Sequence, residues 1–379
     1  MSTKPRIAIF LPSLNGGGAE RAMVLFACTI QELGVDVEIV CAQKKGVLLP
    51  LIESRMSIID LGAPRMFRAV FRLRAYLKKT KPDALYSTIV HANLAAMMAS
   101  GGLRKSMKVI LRESNAPISE KKRTVTRRIS HRLVPLFYPR ADVVIAVSTK
   151  VRDELIQVAP KLKDKLKVLE TPVVPGDFVT QAAEDPKHEW FKEGNPPVIL
   201  GVGRLHSQKN FPLLINAFAE VRKKLDCRLM ILGQGLLKKE LQALVDTLGI
   251  ADSVCFAGFC LNPFSYMSRA RVFVLSSNYE GMPNVLIQAM ALGTPVVATD
   301  CPGGNAECLE GGSLGELVPV EDVSKMALAI EKSLEIRQRS DVAIKITQRF
   351  GAEAASRAYL ELAGIVVSSR IEDLKSGNQ

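Results

Sequence analysis

The chain has 379 residues, 47% hydrophobic and 23% charged, which excludes a disordered protein and suits two globular domains better than one. No apolar run approaches the roughly eighteen residues of a spanning helix, and the early run RIAIFL ends against Pro12, too short for a secretory core. The net charge of +13 is uneven: residues 1–180 hold 30 Lys and Arg against 15 Asp and Glu (+15), the rest 21 against 23 (−2), so the excess belongs to one half and not to a uniformly basic nucleic-acid binder.

In chain order, Arg6–Leu11 has the composition of a buried strand. A glycine loop and a helix from about Glu20 to Leu33 follow, and Gly34 ends that helix before VDVEIVCA resumes a strand. Further strands are expected at Ala84–Thr88, Lys108–Leu111 and Asp142–Val147. This alternation implies a mainly parallel sheet with helices on both faces. Between Thr171 and Pro197 the periodicity lapses into prolines, glycines and charges, which reads as a linker centred on 176–197. A second βαβ series opens at Val198–Gly203 and continues through CRLMILG, VCFAG, RVFVLSS and TPVVATD. A last helix is expected over about 351–367, free to pack back toward the first domain, with the final dozen residues frayed. The expected architecture is α/β: two doubly wound, Rossmann-like domains, 1–175 and 198–350, with a ligand cleft at the C-terminal ends of the strands. Seven scattered cysteines without a C-x-x-C pair suit reduced thiols and a cytoplasmic setting.

Three segments carry chemistry. Asn15-Gly-Gly-Gly-Ala-Glu-Arg21 joins the first strand to the first helix; its glycines let backbone approach a ligand and the helix start offers N–H groups to an anion, though a tight turn needs the same residues. It matches neither G-x-G-x-x-G nor a P-loop. Gly201-Val-Gly203-Arg204-Leu-His-Ser-Gln-Lys209-Asn210 follows the opening strand of the second domain, with Asn210 as helix cap. Arg204 offers a planar fork and Lys209 a mobile charge, together suited to a pyrophosphate or, equally, to solvent. In Tyr279-Glu280-Gly281-Met282-Pro283-Asn284-Val285-Leu286-Ile-Gln288, a turn leads into a helix from Asn284, whose amides at Asn284–Leu286 are expected to be open.

These residues resemble the retaining nucleotide-sugar glycosyltransferases of family 4, whose two-domain fold, called GT-B, sets two Rossmann-like domains facing across a cleft. The resemblance spans nearly the whole chain. It is most specific in Arg204, Lys209 and Glu280–Gln288, and extends to Gly-Gly-Ala-Glu-Arg and Thr294–Asp300. It is closest in kind to members that build bacterial polysaccharides and lipid-linked oligosaccharides. It implies that Arg204 and Lys209 hold the donor diphosphate, and that Glu280 bears on the transferred sugar. Gln288 stands where the family's second glutamate grips the ribose, keeping an acceptor oxygen but losing the charge. Gly203 and the segment Gly281, Met282, Pro283, Asn284, Val285 and Leu286 would line the donor site. Gly17, Gly18 and His91 would lie beside the donor sugar, and Phe259 beside the base.

No Asp-x-Asp and no cluster of His or Cys occurs, so neither metal nor cofactor is expected and the leaving diphosphate must be neutralised by side chains and helix dipoles. Arg65–Lys79 interleaves Phe67, Val70, Phe71 and Leu73 with cations, and Lys121–Arg132 is a second basic stretch. Both suit helices on an anionic membrane surface, or ordinary helices packing one face inward. The expected activity is transfer of a sugar from a nucleotide donor, UDP by the resemblance, to a growing, lipid-linked glycan. A GT-B nucleotide-sugar epimerase or a noncatalytic nucleotide-sugar-binding subunit would carry the same motifs.

Overall fold

A computed structural model describes residues 4–103, 106–114 and 125–367, with side chains of the last span described from His131. It divides into two compact units: one runs to Pro175 and resumes at Gly351, the other is Gly176–Phe350.

The first unit is built on seven strands: β1 (Arg6–Leu11), β2 (Asp36–Cys41), β3 (Ile58–Asp60), β4 (Ala84–Thr88), β5 (Lys108–Glu113), β6 (Val143–Ala146) and β7 (Leu166–Val168). They lie in the order β3-β2-β1-β4-β5-β6-β7, every pairing parallel. Helices cover both faces, so central strands such as β4 are buried at every residue, its polar Ser87 and Thr88 included. The chain works outward from β1 to β3 and then restarts beside β1 at β4, a topological switch point where a crevice opens.

The helix Ala352–Leu362 belongs to this unit and packs on the helix Gly18–Glu32. The Phe26 ring sits 5.0 Å from Tyr86 and 5.4 Å from Tyr359, and the Tyr86 hydroxyl donates to the Tyr359 carbonyl at 2.6 Å. Beneath them Arg112, only 2% exposed, donates to the hydroxyls of Thr171 (2.9 Å), Thr88 (3.2 Å) and Tyr359 (3.4 Å). A buried guanidinium needs such partners; here they join β4, β5, the end of the first chain segment and the last helix. A bridge between Val174 and Gly351 places the departing and returning strands of chain side by side.

The helix Met66–Thr80 turns Ala69, Leu73 and Leu77 inward at a spacing of four. Phe67 and Phe71 stand outward, 68% and 65% exposed, with rings edge to face at 5.6 Å. Arg72 and Arg74 are less available than an interleaved pattern implies: Arg72 donates to the Leu61 and Gly62 carbonyls, Arg74 to those of Ala99 and Gly101. Of the basic stretch Lys121–Arg132, residues 121–124 lie outside the described residues, as do the final twelve of the chain.

The second unit holds β8 (Val198–Val202), β9 (Arg228–Leu232), β10 (Val254–Gly258), β11 (Val272–Leu275), β12 (Val296–Thr299) and β13 (Glu316–Val318), in the order β10-β9-β8-β11-β12-β13. Its switch point falls between β8 and β11. Residues 176–197 are not a bare linker but part of this unit. A short helix, Phe178–Ala183, is held because Arg269 donates to the Ala182 and Ala183 carbonyls and Asn262 to the Gln181 carbonyl, and Arg228 stacks on Trp190. Asn262 and Arg269 lie more than eighty residues downstream of the helix they hold, beyond the reach of any local pattern.

Candidate active site

Three glycines step across the strand ends of the second sheet. The Gly233 amide donates to the Gly258 carbonyl at 2.7 Å, and the Gly203 amide to the Leu232 carbonyl at 2.9 Å. A Cβ on Gly233, at φ +150°, would fall 1.8 Å from the Gly203 carbonyl oxygen, so only glycine admits this approach. Phe259 follows Gly258 at the end of β10. A Cβ on Gly203 would meet the Lys209 stem at 3.0 Å, so the glycine opens the channel along which that side chain runs.

Lys209 leaves the loop after β8 and ends on Glu280, which follows β11: Nζ donates to Oε1 at 2.6 Å, with the two side chains 15% and 7% exposed. The pair sits at the switch point of the sheet. Ser277 Oγ donates to the same Oε1 at 2.6 Å, and the Glu280 amide donates to the Pro302 carbonyl at 2.9 Å. Arg204 is exposed on the Lys209 loop and donates to Gln208 Oε1 at 3.3 Å, while Gln208 Nε2 donates to the Tyr279 carbonyl at 3.0 Å. The structure thus brings Gly203, Arg204, Lys209 and Glu280 to one rim. Cys301, near Glu280, has its thiol pushed up to about 12 by burial and then by the Glu280 charge, so it stays protonated and adds no charge.

Two local expectations change. Asn210 precedes the helix Phe211–Arg222 but adopts a left-handed conformation, φ +44°, and donates to Asn278 Oδ1 at 3.0 Å instead of capping. The amides of Asn284 and Leu286 are not open: they donate to the Met282 and Pro283 carbonyls in a tight turn. Gly281, Met282, Pro283 and Leu286 are buried, with Met282 against Cys308 at 3.2 Å, so Met282 and Leu286 serve packing through their side chains. Asn284, Val285 and Gln288 are half-buried on the helix Asn284–Ala291.

A residue outside the motif shapes the site. Gly303, at φ +138°, lies so close that a Cβ would fall 2.1 Å from the Glu280 carbonyl oxygen. Gly303→Ala should therefore lower stability by about 2–3 kcal/mol, since it adds strain and a clash. At roughly 2–4 °C per kcal/mol for units of this size, a thermal melt should fall by about 5–10 °C. An unchanged midpoint would place that loop elsewhere.

In the first unit, Gly17 and Gly18 follow β1 and His91 follows β4, the neighbouring strand across the switch point. Glu20, only 7% exposed, explains the loop: its Oε2 accepts from the Gly17 amide at 2.9 Å and its Oε1 from Ser13 Oγ at 3.1 Å. This return of an acidic side chain to the helix start is a capping interaction. Gly46, at φ +128°, presses on the loop, where a Cβ would lie 2.2 Å from Leu14. His91 is exposed in the first turn of the helix Val90–Ser100. Before it Ile89 holds φ +74°, strained for a β-branched residue, while Asn93 anchors the helix by donating to the Arg112 carbonyl and Tyr138 hydroxyl, both at 3.0 Å.

Two doubly wound parallel sheets, one with an ion pair and a glycine-lined rim at its switch point, make two Rossmann-like domains, the second with a ligand-site geometry. Residues 196–335 match the family described as Glycosyl transferases group 1, and residues 16–175 that described as Glycosyltransferase Family 4. The chain is 30% identical over 342 residues to a Campylobacter jejuni N-acetylgalactosamine-N,N'-diacetylbacillosaminyl-diphospho-undecaprenol 4-alpha-N-acetylgalactosaminyltransferase, covering 87% of this chain and 90% of that protein. A second C. jejuni alpha-1,4-N-acetyl-D-galactosaminyltransferase, whose named acceptor is also a PP-undecaprenol glycan, is 27% identical, with 87% and 88% covered. Among solved structures, Anabaena HepE in complex with UDP-glucose matches with a TM-score of 0.79 at 22% identity, covering 95% of this chain and 100% of that one. Sucrose-phosphate synthase from Thermosynechococcus elongatus matches at 0.74 and 19%, with 99% and 100% covered. This chain belongs to glycosyltransferase family 4. It is a glycosyltransferase.

Proposed function

We propose that the enzyme transfers a sugar from a UDP donor to a glycan carried on a lipid diphosphate, with retention at the anomeric carbon, working at the inner face of a membrane. The observation that carries this reading is the Lys209–Glu280 pair at the switch point. The ammonium rests on a carboxylate; a diphosphate offers it a stronger partner, after which Glu280 is left to a sugar hydroxyl. Arg204 meets the same diphosphate from the exposed side of the loop, so charge developing on the leaving nucleotide is met by groups already in place. Gln288 takes a ribose hydroxyl and Phe259 lies by the base. Gly203 and the main chain of Gly281–Leu286 line the donor site, and Gly17, Gly18 and His91 face the donor sugar. The UDP complex of the Anabaena structure and the undecaprenol-linked acceptors in the Campylobacter names support donor and acceptor class.

A thermal-shift screen of UDP, GDP, ADP and dTDP tests the donor. UDP at 100 times its dissociation constant should stabilise by about 2.7 kcal/mol, and a response to another nucleotide alone would sink the UDP assignment. With UDP-sugars and a lipid-linked acceptor extract, transfer should persist in EDTA, because Arg204 and Lys209 supply the positive charge. Activity lost on chelation and restored by Mg²⁺ or Mn²⁺ would show a metal at the diphosphate.

A further inference from the structure

The end of β11 carries two consecutive serines, Ser276 and Ser277, 2% and 0% exposed. Side chains alternate along extended chain, and these two go to the two halves of the ion pair. Ser276 Oγ donates to the Lys209 carbonyl at 2.8 Å; Ser277 Oγ donates to Glu280 Oε1 at 2.6 Å. The Ser277 carbonyl in turn accepts from Thr299 Oγ1 at 2.5 Å, and the Thr299 carbonyl from Asn305 Nδ2 at 2.9 Å. Thr299 and Asn305 are both fully buried. A continuous line of hydrogen bonds therefore runs from the helix Asn305–Cys308 across β12 to the carboxylate. Both side-chain bonds on Glu280 fall on Oε1; among the described residues none falls on Oε2.

We infer that Ser277 is a positioning residue for the transfer, fixing Oε1 of Glu280 so that Oε2 is the oxygen presented to the donor sugar. When Lys209 leaves for the diphosphate, Oε1 keeps one donor and the carboxylate keeps its rotation; without the hydroxyl it would turn freely once the ammonium departs. The demand falls on the donor-bound state, so Ser277 affects turnover more than nucleotide binding. This rests on the reading of Glu280 as the group that meets the transferred sugar.

The test is a double-mutant cycle of Ser277→Ala and Glu280→Gln, using whichever of UDP-glucose, UDP-galactose, UDP-N-acetylglucosamine and UDP-N-acetylgalactosamine the wild type turns over fastest. Ser277→Ala should lower kcat about tenfold, the effect of one lost hydrogen bond to a charged group, with UDP affinity by calorimetry within about twofold of wild type. Added to Glu280→Gln it should change kcat by less than about twofold, because residues acting through one group are not additive. Ser277→Cys, nearly isosteric with a weak S–H donor, should show the same loss with an intact fold. Wild-type kcat in Ser277→Ala, an equal loss in both backgrounds, or a matching loss of UDP affinity would each overturn the inference while leaving the reading of Glu280 standing. A wild-type rate in Glu280→Gln alone would overturn that reading, and this inference with it.

Discussion

Arg204→Ala should lower kcat by about 10²–10³, the effect of removing one preorganised donor from a developing negative charge, while hardly moving the thermal midpoint. Arg204 is exposed and, among the described residues, its side chain donates only to Gln208, and truncation of such a surface residue changes stability by about 0.5 kcal/mol or less. Lys209 is different. Removing its ammonium leaves Glu280, 6% exposed, as a buried carboxylate held, among the described side chains, by Ser277 alone. Breaking a buried pair from one side costs about 3–5 kcal/mol, so Lys209→Ala should lose both turnover and stability. Lys209→Ala combined with Glu280→Gln should recover most of the stability and none of the turnover. Steady-state kinetics with the preferred UDP-sugar, beside thermal melts of the three variants, separates the effects. Wild-type turnover in Arg204→Ala would remove it from the diphosphate site.

Replacing Phe67 and Phe71 together by Ser should weaken binding to anionic vesicles by about 10²–10⁴. Burying one such ring contributes roughly 1.5–3 kcal/mol, and the pair is already outside the core, 68% and 65% exposed on the helix Met66–Thr80. Neutralising Arg68, Lys78 and Lys79, all exposed on that helix, should subtract about 1 kcal/mol per cation and flatten the salt dependence. Arg72→Gln should instead loosen the helix, since that side chain binds the Leu61 and Gly62 carbonyls. Vesicle sedimentation across a salt series measures both effects. Equal recovery on neutral and anionic vesicles at low salt, with no loss in the Phe variants, would leave the helix as scaffold.

The sequence made the long strands readable because β1, β2 and β5, six residues each, carry β-branched and other apolar residues at their centres, with charges at or near the ends. The three strands it hid, β3, β7 and β13, are all three-residue sheet edges, too short to show any period. The charged side chains of the second rim were legible, since Arg204, Lys209 and Glu280 sit in short strand–loop–helix motifs. What holds them was not. Ser276 and Ser277 look like the polar end of any strand, and Gly303 like any loop glycine. Their meaning lies in contacts to residues up to 67 positions away. Asn210 shows a local signal overruled: an asparagine before a helix suggests a cap, but the left-handed region suits it and Asn278 takes its side chain.

The path of the chain also sets an order of events during synthesis. The second unit is one uninterrupted stretch, Gly176–Phe350, whereas the first is completed only by the segment from Gly351. Its groove beside Phe26 and Tyr86 is therefore lined long before Tyr359 emerges to fill it. At about 5–20 residues per second, that wait lasts roughly 10–40 s, during which the buried Arg112 lacks its Tyr359 partner. Until then the first unit stays incomplete, whereas the second can close as soon as Phe350 has emerged.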